Sequence, residues 1–326
     1  MKAAEIQNDI LIVKERENEV LNNRKGALVK VLGSGLCGSD IVKLKQHLKK
    51  DGTVLGHEIV GQIIEINSDA NFKYGDVIVT SHHIPCGKCE YCKNGNVSMC
   101  RHFKETNIIP GGFSEFVYVS EEHLQNVAYL KPGNLTEDEA AFYEPLGCCI
   151  RAVKRANLKE NSTALVIGLG SIGILMAQAL KAFGMNVIGC DLISSRVELL
   201  RSLGIEAFNV NDMCESIRTD AVFMTSGSDK ALPTALKYVR DGGKILVFSS
   251  TPLNSGYPNN EIYYRELTVL GSYSPSPKDL KDSIELLKDK KIKVKGLSTV
   301  YPLEKVQKAI DDTVSNKILK AYIKIG

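Results

Sequence analysis

The stretch Thr163–Asp191, TALVIGLGSIGILMAQALKAFGMNVIGCD, constrains the fold of this chain more than any other. It opens with the apolar run Ala164–Ile167, short enough for a buried parallel strand, and turns on Gly168-Leu169-Gly170-Ser171-Ile172-Gly173. A helical-period segment runs from Ile174 to Phe183 and is stopped by Gly184; a second strand, Asn186 to Cys190, ends on Asp191. A G-x-G-x-x-G turn between strand and helix is a dinucleotide-binding fingerprint. Gly168 permits the tight turn, Gly170 lets the backbone approach a pyrophosphate, and Gly173 lets helix and strand pack together. The helix start at Ser171 and Ile172 presents free N–H groups and a partial positive charge to phosphates. Asp191 is placed to accept hydrogen bonds from a ribose diol, which favours NAD; a 2′-phosphate would meet its negative charge. A glycine-rich turn in an unrelated sheet is the bland alternative, and it leaves the acidic residue at that distance unexplained. Three turn glycines, Ser171, Gln178 and Lys181 argue against a membrane helix.

At 326 residues the chain suits two domains and a full hydrophobic core. Hydrophobic residues at 44% and charged residues at 24% are those of an ordinary globular protein. The net charge of +3, from 41 Lys+Arg against 38 Asp+Glu, argues for neither nucleic acid nor an acidic membrane surface as partner. MKAAEIQNDI has no apolar core or cleavage site of a secretory leader, so a reducing cytoplasm is expected for the nine cysteines.

Along the chain the texture changes twice. From Met1 to about Phe142 short strands are broken by glycine, the clearest at Ala27–Leu32, Val54–Ile66, Asp76–Ser81 and Phe113–Val119. After about Gly147 strands alternate with helices: strands at 163–168, 186–191, 206–210, 220–226, 244–249 and 267–272, helices at 174–183, 194–203 and 230–239. That alternation describes an α/β, doubly wound parallel sheet. From Ser274 a helix at about Lys278–Lys288 and mixed segments remain.

Cys86-x-x-Cys89-x-x-Cys92-x7-Cys100 is the most specific motif in the chain. Four thiolates at that spacing can close a tetrahedron around one zinc ion and leave no position open, which implies a structural metal. Four unrelated buried cysteines within so short and polar a segment are the weaker account. A second set is dispersed: Cys37 in GLCGSD, His57 and Glu58 in LGHEIVGQI, and Glu144 in YEPLG. Each has a bland reading as a small core cysteine, a capped histidine or a charge at a domain edge, and spacing alone does not unite them.

GLCGSD, LGHEIVGQI, the cysteine cluster, EPLG, GLGSIG and the Asp191 strand occur in the order found in the zinc-dependent medium-chain alcohol dehydrogenases. The chain resembles that family over essentially its whole length, and most of all its sorbitol (polyol) and threonine dehydrogenase branch. The resemblance implies a GroES-like β-barrel catalytic domain, residues 1–147 and 274–326, with a Rossmann NAD-binding domain, 148–273, inserted between. It also implies that Cys37, His57 and Glu58 supply the ligands of one catalytic zinc, and that Glu144 binds the metal directly or through water. One structural zinc would complete the metal content of each chain. An open zinc site polarises an alcohol and lowers its pKa, readying hydride transfer to the nicotinamide ring.

Ser39 matches the hydroxyl that begins the family's proton relay, with a turn serine as the alternative. Many members carry a histidine five residues after the cysteine ligand; this chain has Val42, and His47 is a stand-in. His83 matches a histidine of threonine dehydrogenases, or is a surface-loop residue, whereas His102 and His123 are expected at the surface. The Lys45–Asp51 stretch is short beside the family's loop before GHE, so the substrate is expected to differ from sorbitol. Arg196 is either a cap on the adenosine side or an exposed helix arginine, while Thr225 and Val247 end strands where a dinucleotide lies.

The expected activity is therefore NAD-dependent oxidation of a secondary hydroxyl of a polyol, sugar or cyclitol by a homo-oligomer, dimer or tetramer. Threonine-type or simple secondary-alcohol oxidation is the enzymatic alternative. A non-catalytic NAD-binding protein that keeps only the structural zinc is the alternative of another class.

Overall fold

Why the strands of the N-terminal texture pair as they do follows from their alternation. The structure, a computed structural model, describes residues 1–250, 256 and 258–326. It divides into two compact units: residues 1–145 with 276–289 and 294–326, and residues 146–275 with 290–293.

In the first unit β1 (Lys2–Gln7) and β2 (Ile10–Glu15) form an antiparallel hairpin. β3 (Gly26–Gly35), β4 (Glu58–Asn67), β5 (Val77–Thr80), β6 (Phe116–Ser120) and β7 (Ala128–Leu130) follow. On β3, alternate residues Ala27, Val29 and Val31 point into one core with Ile59, Ile63, Ile78, Val117 and Val119. Each large apolar side chain buried there stabilises the unit by roughly 1.5–3 kcal/mol. The second unit contains β8 (Thr163–Ile167), β9 (Asn186–Asp191), β10 (Glu206–Asn209), β11 (Thr219–Met224), β12 (Val239–Val247) and β13 (Thr268–Gly271). The chain then returns to the first unit for β14 (Thr299–Pro302) and β15 (Ala321–Lys324).

The first unit's large sheet runs β14-β15-β3-β4-β5-β7, with β6 also pairing β3. Because β15 and β4 flank β3, the chain's C-terminal strand lies beside its N-terminal ones. The second unit's sheet runs β10-β9-β8-β11-β12-β13, all parallel, with the strand order reversing between β8 and β11. Buried Leu165, Val222 and Ile245 on its strands meet Ala235 and Tyr238 of the helix Ala231–Tyr238.

Two features differ from the sequence expectation. The helix Tyr143–Ala156 was not among the expected helices. Proline in a first helical turn loses no intrahelical hydrogen bond, and Leu146, Cys149, Ile150 and Val153, at helical spacing, are buried. Residues 290–293 also group with the second unit, where the Gln178 side chain donates to the Lys293 carbonyl at 3.0 Å and accepts its N–H at 2.8 Å. Among the described residues no helix is long and apolar enough to cross a membrane.

Candidate functional site

Two neighbouring strand ends of the first unit bring together one group of side chains that could hold a metal. β3 delivers the chain to Cys37, β4 starts at Glu58 directly after His57, and the pairing of Gly35 with Glu58 sets the two ends side by side. One ligand atom each from Cys37, His57 and Glu58 lies within 4.8 Å of the others. Thiolate, imidazole and carboxylate at that spacing are a donor set suited to zinc, three protein ligands leaving a position open.

Cys37 is the N-cap of the helix Gly38–Lys45: its Sγ accepts from Ser39 N at 3.4 Å. Asp40 closes the capping box, its Oδ2 accepting the Cys37 N–H at 3.2 Å. The other oxygen, Oδ1, lies 3.3 Å from His57 Nδ1 and 3.5 Å from Lys43 Nζ. Burial works against the Asp40 carboxylate, but His57 and Lys43 beside it outweigh that and bring its pKa down to about 2. A carboxylate on Nδ1 fixes the imidazole orientation and leaves Nε2 as the donor to a metal.

Glu58 is held from the far side of the chain. Lys320 immediately precedes β15, which pairs with β3, so its ammonium arrives under the same strand ends. Lys320 Nζ donates to Glu58 Oε1 at 2.6 Å and to the Leu36 carbonyl at 3.1 Å, and also contacts Glu58 Oε2. Burial alone would lower the Lys320 pKa; Glu58, Cys37 and Glu144 nearby raise it instead. Gly35 makes room for this pair, since a Cβ there would meet Glu58 Oε2 at 1.8 Å.

Glu144 is buried in the first turn of the helix Tyr143–Ala156, close enough to act on Lys320, and lies outside the group formed by Cys37, His57 and Glu58. Ser39 is exposed at the start of its helix. His47 is 72% exposed and its Nδ1 lies 2.6 Å from Asp9 Oδ1. Nothing in that placement joins His47 to the ligand group.

Sequence reasoning passed over three residues here. Asp40 had a local signal, the capping-box spacing Cys37-x-x-Asp40. Lys320 had none, because 262 residues separate it from Glu58. His82 follows β5, whose pairing with β4 carries it to His57: the two ring centroids are 4.4 Å apart. Burial beside other imidazoles pushes the His82 pKa well below its usual value. His83 is half-buried, with Nδ1 donating to the Thr106 carbonyl at 2.6 Å; mainly through burial its pKa falls to about 4. His123, expected at the surface, is buried: Nε2 donates to the His82 carbonyl at 3.1 Å and Nδ1 pairs with Ser120 Oγ at 2.7 Å. His102 lies 2.8 Å from Glu122.

The second group is the loop of Cys86, Cys89, Cys92 and Cys100, whose four sulfurs lie within 4.8 Å of one another. Left-handed Gly87 and Gly95, at φ 72° and 75°, curl the chain around them. Cys89 and Cys92 sulfurs are 3.5 Å apart and Cys86 N donates to Cys100 Sγ at 3.4 Å. Desolvation opposes the Cys100 thiolate, but N–H groups of Cys86 and Phe103 lower its pKa to about 6. Four sulfurs so arranged could hold a closed tetrahedral zinc.

In the second unit the glycine turn fits a dinucleotide. Gly168 takes φ 91°, and a Cβ on Gly173 would lie 1.8 Å from the Gly168 carbonyl oxygen. A Cβ on Gly170 would meet nothing within 4 Å among the described residues, so the backbone there is open to close approach. The helix Ser171–Ala182 starts there with no side-chain cap, leaving the first N–H groups, from Ser171 and Ile172 onward, for an anion. Asp191 is oriented by the backbone: Oδ2 accepts from Leu169 N at 2.6 Å and Oδ1 from Ile193 N at 2.8 Å. Each oxygen keeps a lone pair for a further donor. Arg196 Nη1 lies 3.7 Å from Asp191 Oδ2. Thr225 Oγ1 donates to the Gly168 carbonyl at 2.6 Å and so braces the turn, and Val247 ends β12 beside Gly271.

The chain is similar to known proteins over nearly its whole length. Residues 23–129 match the alcohol dehydrogenase GroES-like domain and residues 171–289 the zinc-binding dehydrogenase family. A sorbitol dehydrogenase of Bacillus subtilis is 31% identical, over 99% of this chain and 97% of that protein. A D-arabitol-phosphate dehydrogenase of Enterococcus avium is 30% identical, over 91% of this chain and 89% of its own. Among solved structures, an Escherichia coli oxidoreductase of unknown specificity superposes with a TM-score of 0.87 at 26% identity, over the whole of both chains.

Proposed function

The chain belongs to the zinc-type medium-chain alcohol dehydrogenases, in their polyol branch, and from that premise we propose that it transfers hydride from a secondary hydroxyl of a polyol, sugar or cyclitol to NAD. The observation that carries this reading is the meeting of Cys37, His57 and Glu58 at the adjoining ends of β3 and β4, with Asp40 and Lys320 buried behind them. Zinc held there supplies a Lewis acid that polarises a hydroxyl and lowers its pKa.

In this reading Cys37 and His57 are the firm ligands, and Asp40 keeps His57 turned towards the metal. Glu58, gripped by Lys320, completes the set at a distance that the ammonium controls. Glu144 stands near Lys320 as a further carboxylate, acting directly or through water. Ser39 carries the proton away at the exposed helix start. The sulfurs of Cys86, Cys89, Cys92 and Cys100 take a second, structural zinc. Gly168, Gly170, Ser171, Ile172 and Gly173 cradle the pyrophosphate, with Thr225 bracing the turn from beneath. Asp191 takes the ribose diol and so favours NAD over NADP, with Arg196 beside it and Val247 on the nicotinamide side of the sheet edge.

The substrate class draws support from the sorbitol and arabitol-phosphate dehydrogenases among the relatives. A homo-oligomer is proposed because β13 is an edge strand beside exposed Tyr263, Tyr264, Val269 and Tyr273, the kind of apolar edge that a second copy covers. Nine cysteines, with no disulfide among the described residues, suit a reducing cytoplasm.

The test is the initial rate of NADH and NADPH formation by zinc-replete protein on polyols, cyclitols, sugars, simple secondary alcohols and threonine. Polyol oxidation with NAD preferred at least about tenfold is expected. A preference for NADP, or for threonine, would overturn the corresponding part of the reading.

A further inference from the structure

The half-buried His82 ring packs against two other imidazoles. Its ring lies 4.4 Å from His57 and 3.8 Å from His83, both tilted, and His123 donates to its backbone carbonyl. His83 is in turn fixed by the Thr106 carbonyl and by the Phe103 ring at 4.8 Å. Yet His82 Nδ1 is buried and has no hydrogen-bond partner among the described residues. A phenyl ring would make the same packing contacts without that nitrogen. A buried, unpaired polar atom is costly to a folded protein, and where one persists it calls for a partner that arrives with function.

We propose that His82 selects substrates bearing a second hydroxyl on the carbon next to the one oxidised, by hydrogen bonding that hydroxyl through its imidazole. The inference rests on the reading of Cys37 and His57 as the site where the reacting hydroxyl is polarised. The His82 ring packs against His57, one of the three side chains of that group, and in a polyol the hydroxyl on the next carbon is the polar group closest to the reacting one. A hydroxyl both donates and accepts, so it matches either tautomer of the imidazole. The ring is half-buried, and rotation about its Cβ–Cγ bond, a broad torsion for histidine, turns a nitrogen towards the approaching oxygen. A substrate lacking that hydroxyl leaves the nitrogen unpaired, and sites built around a substrate hydroxyl discriminate for this reason.

The experiment uses the full-length zinc-replete protein, its best secondary-alcohol substrate and the analogue of that substrate lacking the neighbouring hydroxyl. Wild-type kcat/KM should favour the hydroxylated substrate by roughly tenfold or more. His82→Phe should collapse that ratio towards one at unchanged zinc content, and His82→Gln, which keeps an amide donor and acceptor, should restore part of it. Independently of turnover, the 15N imidazole resonances that disappear in His82→Phe should shift when the polyol is added to wild type and stay in place with the deoxy analogue. A ratio that survives in His82→Phe, resonances that ignore both compounds, or a best substrate with no neighbouring hydroxyl overturns the proposal while leaving the dehydrogenase reading intact. Absence of turnover on every alcohol defeats that reading, and the proposal with it.

Discussion

Lys320 and Glu58 show how single residues set the energetics of the metal-ligand group. Both are buried, and each answers the other's charge. Removing one partner of such a pair strands the other in a poor dielectric, so Lys320→Met should cost about 3–5 kcal/mol of unfolding free energy. The double variant Glu58→Gln with Lys320→Met should recover much of that loss in a denaturation double-mutant cycle. A loss in the double variant equal to the sum of the two single losses would show that the two side chains act separately. Asp191 is the corresponding residue of the dinucleotide turn. Asp191→Ala should lower kcat/KM with NAD by at least about tenfold and narrow its advantage over NADP, because the diol acceptors and the charge disfavouring a 2′-phosphate are lost together. At this scale the sequence was readable where a residue's role is local: the turn glycines, Asp191 and the four clustered cysteines. It was opaque where the role depends on strand pairing. Neither Lys320 nor His82 has any mark in its own neighbourhood, and His47, chosen for proximity in sequence, pairs with Asp9 instead.

Among the elements, the glycine turn and the cysteine loop are the two whose backbone leaves least latitude. Gly173 has the Gly168 carbonyl where a Cβ would go, and backbone cannot move aside as a side chain tip can. Gly173→Ala should therefore destabilise the protein by about 1–3 kcal/mol and weaken NAD binding, both measurable by thermal melts with and without cofactor. Gly170→Ala meets no protein atom; it should melt like wild type alone but gain less from NAD. Cys89→Ala should remove one zinc per chain and lower Tm by more than about 5 °C, since binding to a folded thiolate set contributes directly to folding. The parallel strands were legible because both faces are covered and their apolar runs are continuous. The helix Tyr143–Ala156 was not among the expected helices; Pro145 stands in its first turn, where the missing N–H costs no intrahelical hydrogen bond. Glu144, put forward as a ligand to the metal directly or through water, is buried in the first turn of that helix.

The molecule as a whole divides its chemistry between two units, with metal ligands in one and the dinucleotide turn in the other. That the C-terminal strand β15 joins the N-terminal sheet was anticipated only through family resemblance, because pairing between chain ends leaves no periodic signature in either segment. The central claim is that the group of Cys37, His57 and Glu58 holds a zinc on which oxidation depends, distinct from the one held by four cysteines. It is tested most directly by following zinc content and NADH formation on the same samples during stepwise chelation. Wild-type protein should hold two zinc ions per chain at the start, and Cys37→Ser a single zinc with turnover reduced at least about a thousandfold. A wild-type protein that holds only one zinc, or a Cys37→Ser variant that keeps its rate, would contradict it.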